Sequence, residues 1–245
     1  MDFQLENELR AAYPDRLTWQ KTIPTFHPQS PKDAADLFVR AKQHNQKIYI
    51  SGFGNNIDPV GKQFADLLVL KSDRLNTIAA IAAADFYVTV GAGYPLKEIN
   101  KVLADHNLWF PLGDTNYPGS LGGAMAAGLS GFDGAHTVAL SRSLLSVTAV
   151  LPDGSIVRPG AVTFKSVSGY DMSRLFFNSW GLLGMIITLS FRVLPLSKKQ
   201  EAPHIVLNTA DRNRFLEALQ GPASLAGICR KIKAEFDPDN RLPVV

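Results

Sequence analysis

Three glycine-rich turns carry the residue types best suited to holding an anionic ligand: Ser51-Gly52-Phe53-Gly54-Asn55-Asn56, Gly91-Ala92-Gly93 and Gly119-Ser120-Leu121-Gly122-Gly123. Glycine and asparagine tolerate positive φ and leave backbone amides exposed, so such turns offer N–H donors without any charged side chain. The third turn sits in the stretch FPLGDTNYPGSLGGAMAAGLSG, residues 110–131. A polar turn with Asp114, Thr115 and Pro118 leads there into a run of Gly, Ala, Leu and Met. Ser120 is suited to cap a helix whose first turn holds Gly122 and Gly123. Free N–H groups and the positive end of the helix dipole would attract an anion at that point, such as a cofactor diphosphate. A helix of small residues packed tightly in a core explains the same pattern equally well.

Other chemistries find little support. His27, His44, His106, His136 and His204 are scattered, and Cys229 is the single cysteine, so no metal-ligand spacing and no disulfide framework arises. Gly-x-Ser-x-Gly, Walker A and the Gly-x-Gly-x-x-Gly dinucleotide fingerprint with its later acidic residue are all missing. His136 lies near the third turn, either facing a cofactor ring or in a surface loop. Lys165, Tyr170 and Asp171 surround a Ser-Gly pair, as a turn that touches ligand or as turn and cap residues. The catalytic residues stay unknown.

These turns need elements to place them. Ser30 and Pro31 open an amphipathic helix over 31–45, followed by a strand, KIYIS, and a second one, ADLLVL. The first seventy residues thus read as a β-α-β unit with the first glycine turn after its central strand. A second unit begins near residue 75. It has the strand FYVTVGAG, a helix opened by Pro95, the glycine element, a hairpin around Pro152-Asp153-Gly154 and an apolar strand over 181–195. From Leu196 the character changes. A strand in APHIVLNTA and helices in DRNRFLEALQG and SLAGICRKIKAEF are predicted.

With 245 residues, 46% hydrophobic and 19% charged, the chain can bury a sizeable core. Its net charge of +3 is small and dispersed, which argues against nucleic acid as a partner. No transmembrane run and no secretory signal is read, so a cytoplasmic location is the default expectation.

Taken in order, the motifs resemble the FAD-binding domain of the vanillyl-alcohol oxidase / p-cresol methylhydroxylase superfamily, with the closest likeness to the FAD-binding subunit of glycolate oxidase. SGFGNN stands where the family has a diphosphate-binding glycine turn. VTVGAGYPLKEIN, LGDTNYPGSLGGAMAAGLSG and VSGYDMSRLFFNSWGLLGMIIT match three further family elements, and KIKAEFDPDNRL carries a C-terminal trace. The resemblance implies an α+β fold with FAD extended between two subdomains, residues 1–74 and 75–195. Residues 196–245 would form a shortened C-terminal segment in place of a cap domain.

It also implies positions. Gly52, Phe53, Gly54, Asn55 and Asn56 would lie at the diphosphate. Gly113, Asp114, Thr115, Ser120, Gly122 and Gly123 would run along diphosphate and flavin, with Gly128 close by. Gly184 and Ile186 would pass the adenine or ribose. Many members attach FAD through a histidine in the first glycine turn; Asn55 and Asn56 stand there, so FAD is expected to be non-covalent. Phe53 replaces the family's middle glycine. The implied function is oxidation of a small 2-hydroxy acid such as glycolate through flavin reduction, with a partner protein over the open flavin face and an exposed apolar patch to receive it. The alternatives are a non-catalytic FAD-binding or assembly subunit, and a degenerate member without FAD.

Overall fold

Leu5 and Leu9 share one face of α1 (Phe3–Ala12) and bury it with Leu37, Phe38 and Ala41 of α2 (Pro31–Gln43). Ser30 caps α2 as predicted, its side chain accepting from the Asp33 amide at 3.2 Å. Between the helices, β1 (Leu17–Gln20) and β2 (Ile23–Phe26) form a hairpin. Then come β3 (Lys47–Ser51) and β4 (Leu67–Lys71), which complete a sheet of order β1-β2-β4-β3 with β4 parallel to both neighbours. KIYIS is therefore an edge strand of this sheet, not its centre. The structure is a computed structural model that describes residues 1–132, 137–162, 172–200, 204–205 and 224–245.

The chain continues through β5 (Ile78–Ala82), β6 (Tyr87–Gly91), α3 (Ile99–Ala104), β7 (Leu108–Trp109), α4 (Leu121–Ala126), β8 (Ser130–Phe132) and β9 (Thr137–Ala139). Next are β10 (Leu144–Val150), β11 (Ile156–Val157), β12 (Met185–Arg192), β13 (Leu194–Pro195), β14 (His204–Ile205) and α5 (Ser224–Phe236). An antiparallel sheet of order β11-β10-β12-β6-β5 dominates this half. The hairpin predicted around Pro152-Asp153-Gly154 is β10–β11, and the apolar strand predicted over 181–195 is β12 with β13. Pro95 precedes a single 3-10 turn, Leu96–Glu98, which leads into α3. The second predicted C-terminal helix is α5; the one over DRNRFLEALQG lies outside the described residues.

The two sheets are not independent. Val150, Met185 and Ile187 of the second sheet pack with the core of the first, while Ile186 on the alternate face of β12 belongs to the second core. Strand alternation thus lets one strand serve both cores and hold the sheets at a fixed separation. The chain's last residues return to the first sheet: the Ile48 amide donates to the Arg241 carbonyl at 2.8 Å, beside the edge strand β3. Asp237 anchors this return by accepting from the Arg241 and Leu242 amides, each at 2.8 Å, and by pairing with Lys233. The amino end of β3 is thereby tied down on its free edge.

Candidate functional site: a neutral cleft between the two sheets

The carboxyl ends of β3, β4 and β6 open onto one cleft. Parallel strands bring ligands to their carboxyl ends, because the loops that leave them carry free amides. Ser51 through Ile57 form one wall. Gly119, Ser120, Gly122, Gly123, Ala126 and Ala127 form the second. Trp180, Gly181, Gly184 and Ile186 close the third, with Ser72, Ala92 and Tyr117 between them. No Asp, Glu, Lys, Arg or His is among these lining residues.

The loop after β3 is the cleft's donor surface. Among the described residues, the backbone amides of Phe53, Gly54, Asn55 and Asn56 donate to no protein group. Gly54 takes φ +85°, a value that favours glycine. Phe53 is absent from the positive-φ positions, so its side chain fits where the family has glycine without backbone strain. Successive free amides around a left-handed residue make a concavity suited to an anion. This agrees with an extended diphosphate cofactor held by main-chain dipoles instead of cations.

The second wall behaves differently from the helix-terminus cradle that the sequence suggested. The Leu121 amide donates to the Tyr94 carbonyl at 2.9 Å, and that of Gly122 to the Ala92 carbonyl at 2.7 Å. The Gly123 amide is capped by Ser120 Oγ at 3.1 Å, and Ala124 bonds to the Ser120 carbonyl. The amides of the first three helical residues are thus all taken, and α4 is only six residues long. The helix contributes a smooth, small-residue wall and not an anion site. A Cβ on Gly122 would lie 2.6 Å from Ala92 Cβ, whereas one on Gly123 would meet little beyond Ser120 Oγ at 3.1 Å and Gly52 Cα at 3.9 Å. One glycine of the pair serves packing and its neighbour faces the opposite wall.

The remaining predicted positions divide in the same way. Gly184 and Ile186 line the cleft; Gly113, Asp114, Thr115 and Gly128 are not among its lining residues. Gly128 follows α4 at φ +72°, with its amide on the Met125 carbonyl and that of Leu129 on the Ala124 carbonyl, which is a Schellman ending. Thr115 Oγ1 donates to the Leu112 carbonyl at 2.8 Å. Gly91 and Gly93 press against the Leu75 and Ser72 carbonyls, so their missing side chains serve close packing, while Ala92 between them reaches the cleft. His136, Lys165, Tyr170 and Asp171 lie outside the described residues.

Asp114 accepts from Asn100 Nδ2 at 2.9 Å and Trp109 Nε1 at 2.8 Å, and pairs with Lys199 at 3.2 Å. Burial pushes its carboxyl up, but the bonds from Asn100, Trp109 and Lys199 outweigh this and hold it below its ordinary 3.8. A carboxyl lowered in the folded state stabilises the fold above the ordinary value, and that stability is lost as pH falls through the folded-state value. Asp114→Asn should therefore lower the melting temperature at neutral pH and flatten its decline on acidification below about pH 4. FAD affinity should stay within about twofold, since no ligand bond is removed. Calorimetry and a flavin titration check both halves.

Sequence reasoning missed Tyr117 and Trp180. The Trp180 amide donates to the Ala126 carbonyl at 2.9 Å, and its ring nitrogen donates to Asn178 Oδ1 at 3.1 Å. Asn178 and Trp180 both adopt positive φ. The only signal in the sequence was the Asn178-Ser179-Trp180-Gly181 turn ahead of an apolar strand.

Comparison with known proteins gives the cleft its context. The chain is 27% identical to a mitochondrial D-lactate dehydrogenase (cytochrome) of Arabidopsis thaliana, with 77% of this chain and 35% of the relative covered. It is 25% identical to an uncharacterized FAD-linked oxidoreductase of Mycobacterium tuberculosis, with 75% and 40% covered. The chain thus spans well under half the length of these relatives. Among solved structures, an alkyldihydroxyacetonephosphate synthase matches with TM-score 0.65 at 20% identity, over 80% of this chain and 42% of that one, a likeness of fold. These neighbours agree with the expected mixed α and β fold of the vanillyl-alcohol oxidase type. The relatives' names speak of D-lactate, not of glycolate. Among the described residues, no helix is long and apolar enough to cross a membrane. The model of the FAD binding domain family matches residues 24–160, more than half of the sequence and the part that builds two walls of the cleft, and this chain belongs to that family.

Proposed function

We propose that this chain holds FAD non-covalently in the cleft between its two sheets, as the flavin-carrying part of an oxidoreductase for a small 2-hydroxy acid such as D-lactate or glycolate. The observation that carries the reading is the row of unpaired amides at 53–56, facing a wall of small residues across a neutral cleft. The fit to the cofactor is chemical. A diphosphate needs several donors in a small space, and a flat, bulky ring system needs walls without side chains. The loop supplies the first and Gly119 through Ala127 the second. When bound, FAD would supply the hydride-accepting chemistry; the share of the loop at 53–56 and of the wall Gly119 through Ala127 would be to bind and orient it.

Non-covalent binding is supported by Asn55 and Asn56 in the loop, which offer no ring nitrogen for attachment there. The 2-hydroxy acid rests on the names of the D-lactate dehydrogenase relatives, and the choice between lactate and glycolate on experiment. A partner protein over the flavin face remains part of the proposal. None of the large exposed hydrophobic residues, Phe3, Trp19, Val39, Phe86, Ile156, Met172, Ile228 and Val244, lines the cleft itself.

One observation favours the second reading, an FAD-binding subunit that does not itself turn over substrate. Among the described residues, no titratable acid or base other than tyrosine lines the cleft, so none of them is suited to take the hydroxyl proton of a 2-hydroxy acid at neutral pH. Anaerobic mixing of the FAD-loaded chain with D-lactate, L-lactate or glycolate separates the two. Bleaching of the flavin's visible band by one of them supports the oxidoreductase. No bleaching by any, with full photoreduction of the same sample, supports the subunit reading.

A further inference from the structure

Tyr117 is buried to 4% exposure, yet it is one of the residues that line the cleft. Its ring fills the space beside Gly119, where a Cβ would lie only 2.4 to 2.6 Å from the Tyr117 ring carbons and hydroxyl, so Gly119 must be glycine for the ring to lie there. The hydroxyl accepts from Asn56 Nδ2 at 3.4 Å, a long bond that ties it to the end of the loop with free amides. Among the described residues the hydroxyl's own proton has no acceptor. A buried hydroxyl with an unused proton is costly unless something completes it, and the opening beside it is the cleft.

We propose that Tyr117 is a positioning residue whose hydroxyl donates a hydrogen bond to a diphosphate oxygen of the ligand, completing the donor set of the loop amides at 53–56. This rests on the FAD reading above and adds to it a side chain beside the end of the loop. The diphosphate would then be held by main-chain and side-chain donors together, with Asn56 holding the phenol in register. Burial raises the Tyr117 hydroxyl above its ordinary 10.0, although the Asn56 bond pulls the other way. The phenol therefore keeps its proton throughout the neutral and mildly basic range and does not become an anion beside another anion.

The test is isothermal titration of the wild-type chain and Tyr117→Phe with three ligands: FAD, ADP and riboflavin. Phenylalanine keeps the ring against Gly119, so the melting temperature of the unliganded variant should match the wild type. The expected result is a loss of about tenfold in affinity for both FAD and ADP, the scale of one good hydrogen bond, with riboflavin binding unchanged. Unchanged affinity for FAD and ADP would overturn the proposal. Equal weakening of all three ligands would also overturn it, because the role would then be to shape the cleft. If the wild-type chain itself binds neither FAD nor ADP, the FAD reading fails rather than this assignment.

Discussion

Gly123→Val should bind FAD about a hundredfold more weakly than the wild type while still folding. A valine Cβ at this position would touch Ser120 Oγ at 3.1 Å and otherwise face Gly52 Cα at 3.9 Å. Its two methyl groups must then either press on the turn at Gly52 or project into the cleft beside this contact, which both glycines line. Overpacking of this kind costs about 1–3 kcal/mol, and its upper part corresponds to two decades in affinity. The fold should lose much less, because the neighbour that must give way is a rotatable hydroxyl. Gly123→Ala is the graded control, with a loss of about tenfold or below. Flavin fluorescence titration gives the affinities, and urea denaturation of the unliganded proteins gives the stabilities. A valine variant that binds FAD as the wild type does would move the ligand away from this wall.

Gly122→Val, one residue earlier, should fail in the opposite way. Its Cβ would lie 2.6 Å from Ala92 Cβ and 2.8 Å from the Ala92 carbonyl oxygen, which itself receives the Gly122 amide at 2.7 Å. Nothing in that contact can rotate aside. Even one carbon must push α4 away from the end of β6, and valine adds two more. The expected cost is about 3 kcal/mol or above, and for a chain of this length that lowers the melting temperature by about 10 °C. Circular dichroism melting of the unliganded chain measures it directly. A Gly122→Val chain that melts with the wild type would show that the seam between α4 and β6 is looser than its hydrogen bonds imply.

This pair of glycines also shows how far the sequence reaches. Ligand approach and tight packing explain the Gly-Gly motif equally well in the sequence; in the structure packing describes Gly122, while Gly123 has room for a Cβ. The difference arises from Ala92, thirty positions upstream, whose carbonyl takes the Gly122 amide. Hydrogen bonds of that kind are non-local, and no spacing within 110–131 reveals them. The same holds for the capped helix end. Its donors look free when the segment is read alone, but Tyr94 and Ala92 supply acceptors from a neighbouring strand end.

Local rules did better where local chemistry decides. Ser30-Pro31 starts α2, Pro152-Asp153-Gly154 turns the hairpin, and the apolar run after Gly184 becomes the strand shared by both cores. The misses have physical causes. β5 reads IAAIA, alanine-rich and weak in intrinsic strand preference, and it forms because β6 offers an edge to pair with. α1 and the β1–β2 hairpin are short elements, fixed by burial of Leu5, Leu9, Leu17 and Phe26 in one core. Tyr117 lies within LGDTNYPGSLGGAMAAGLSG, but no spacing there singles it out; its proposed part is argued from the bare Gly119 beneath it and the bond from Asn56.

The central claim is that the diphosphate lies on the loop after β3 and not on the end of α4. A crystal structure of the chain with FAD tests this most directly. The account predicts diphosphate oxygens within hydrogen-bond distance of two or more of the amides at residues 53–56, with Ser120 Oγ still capping Gly123. A diphosphate seated on the amides of Gly122 and Gly123, with that cap displaced, would contradict it.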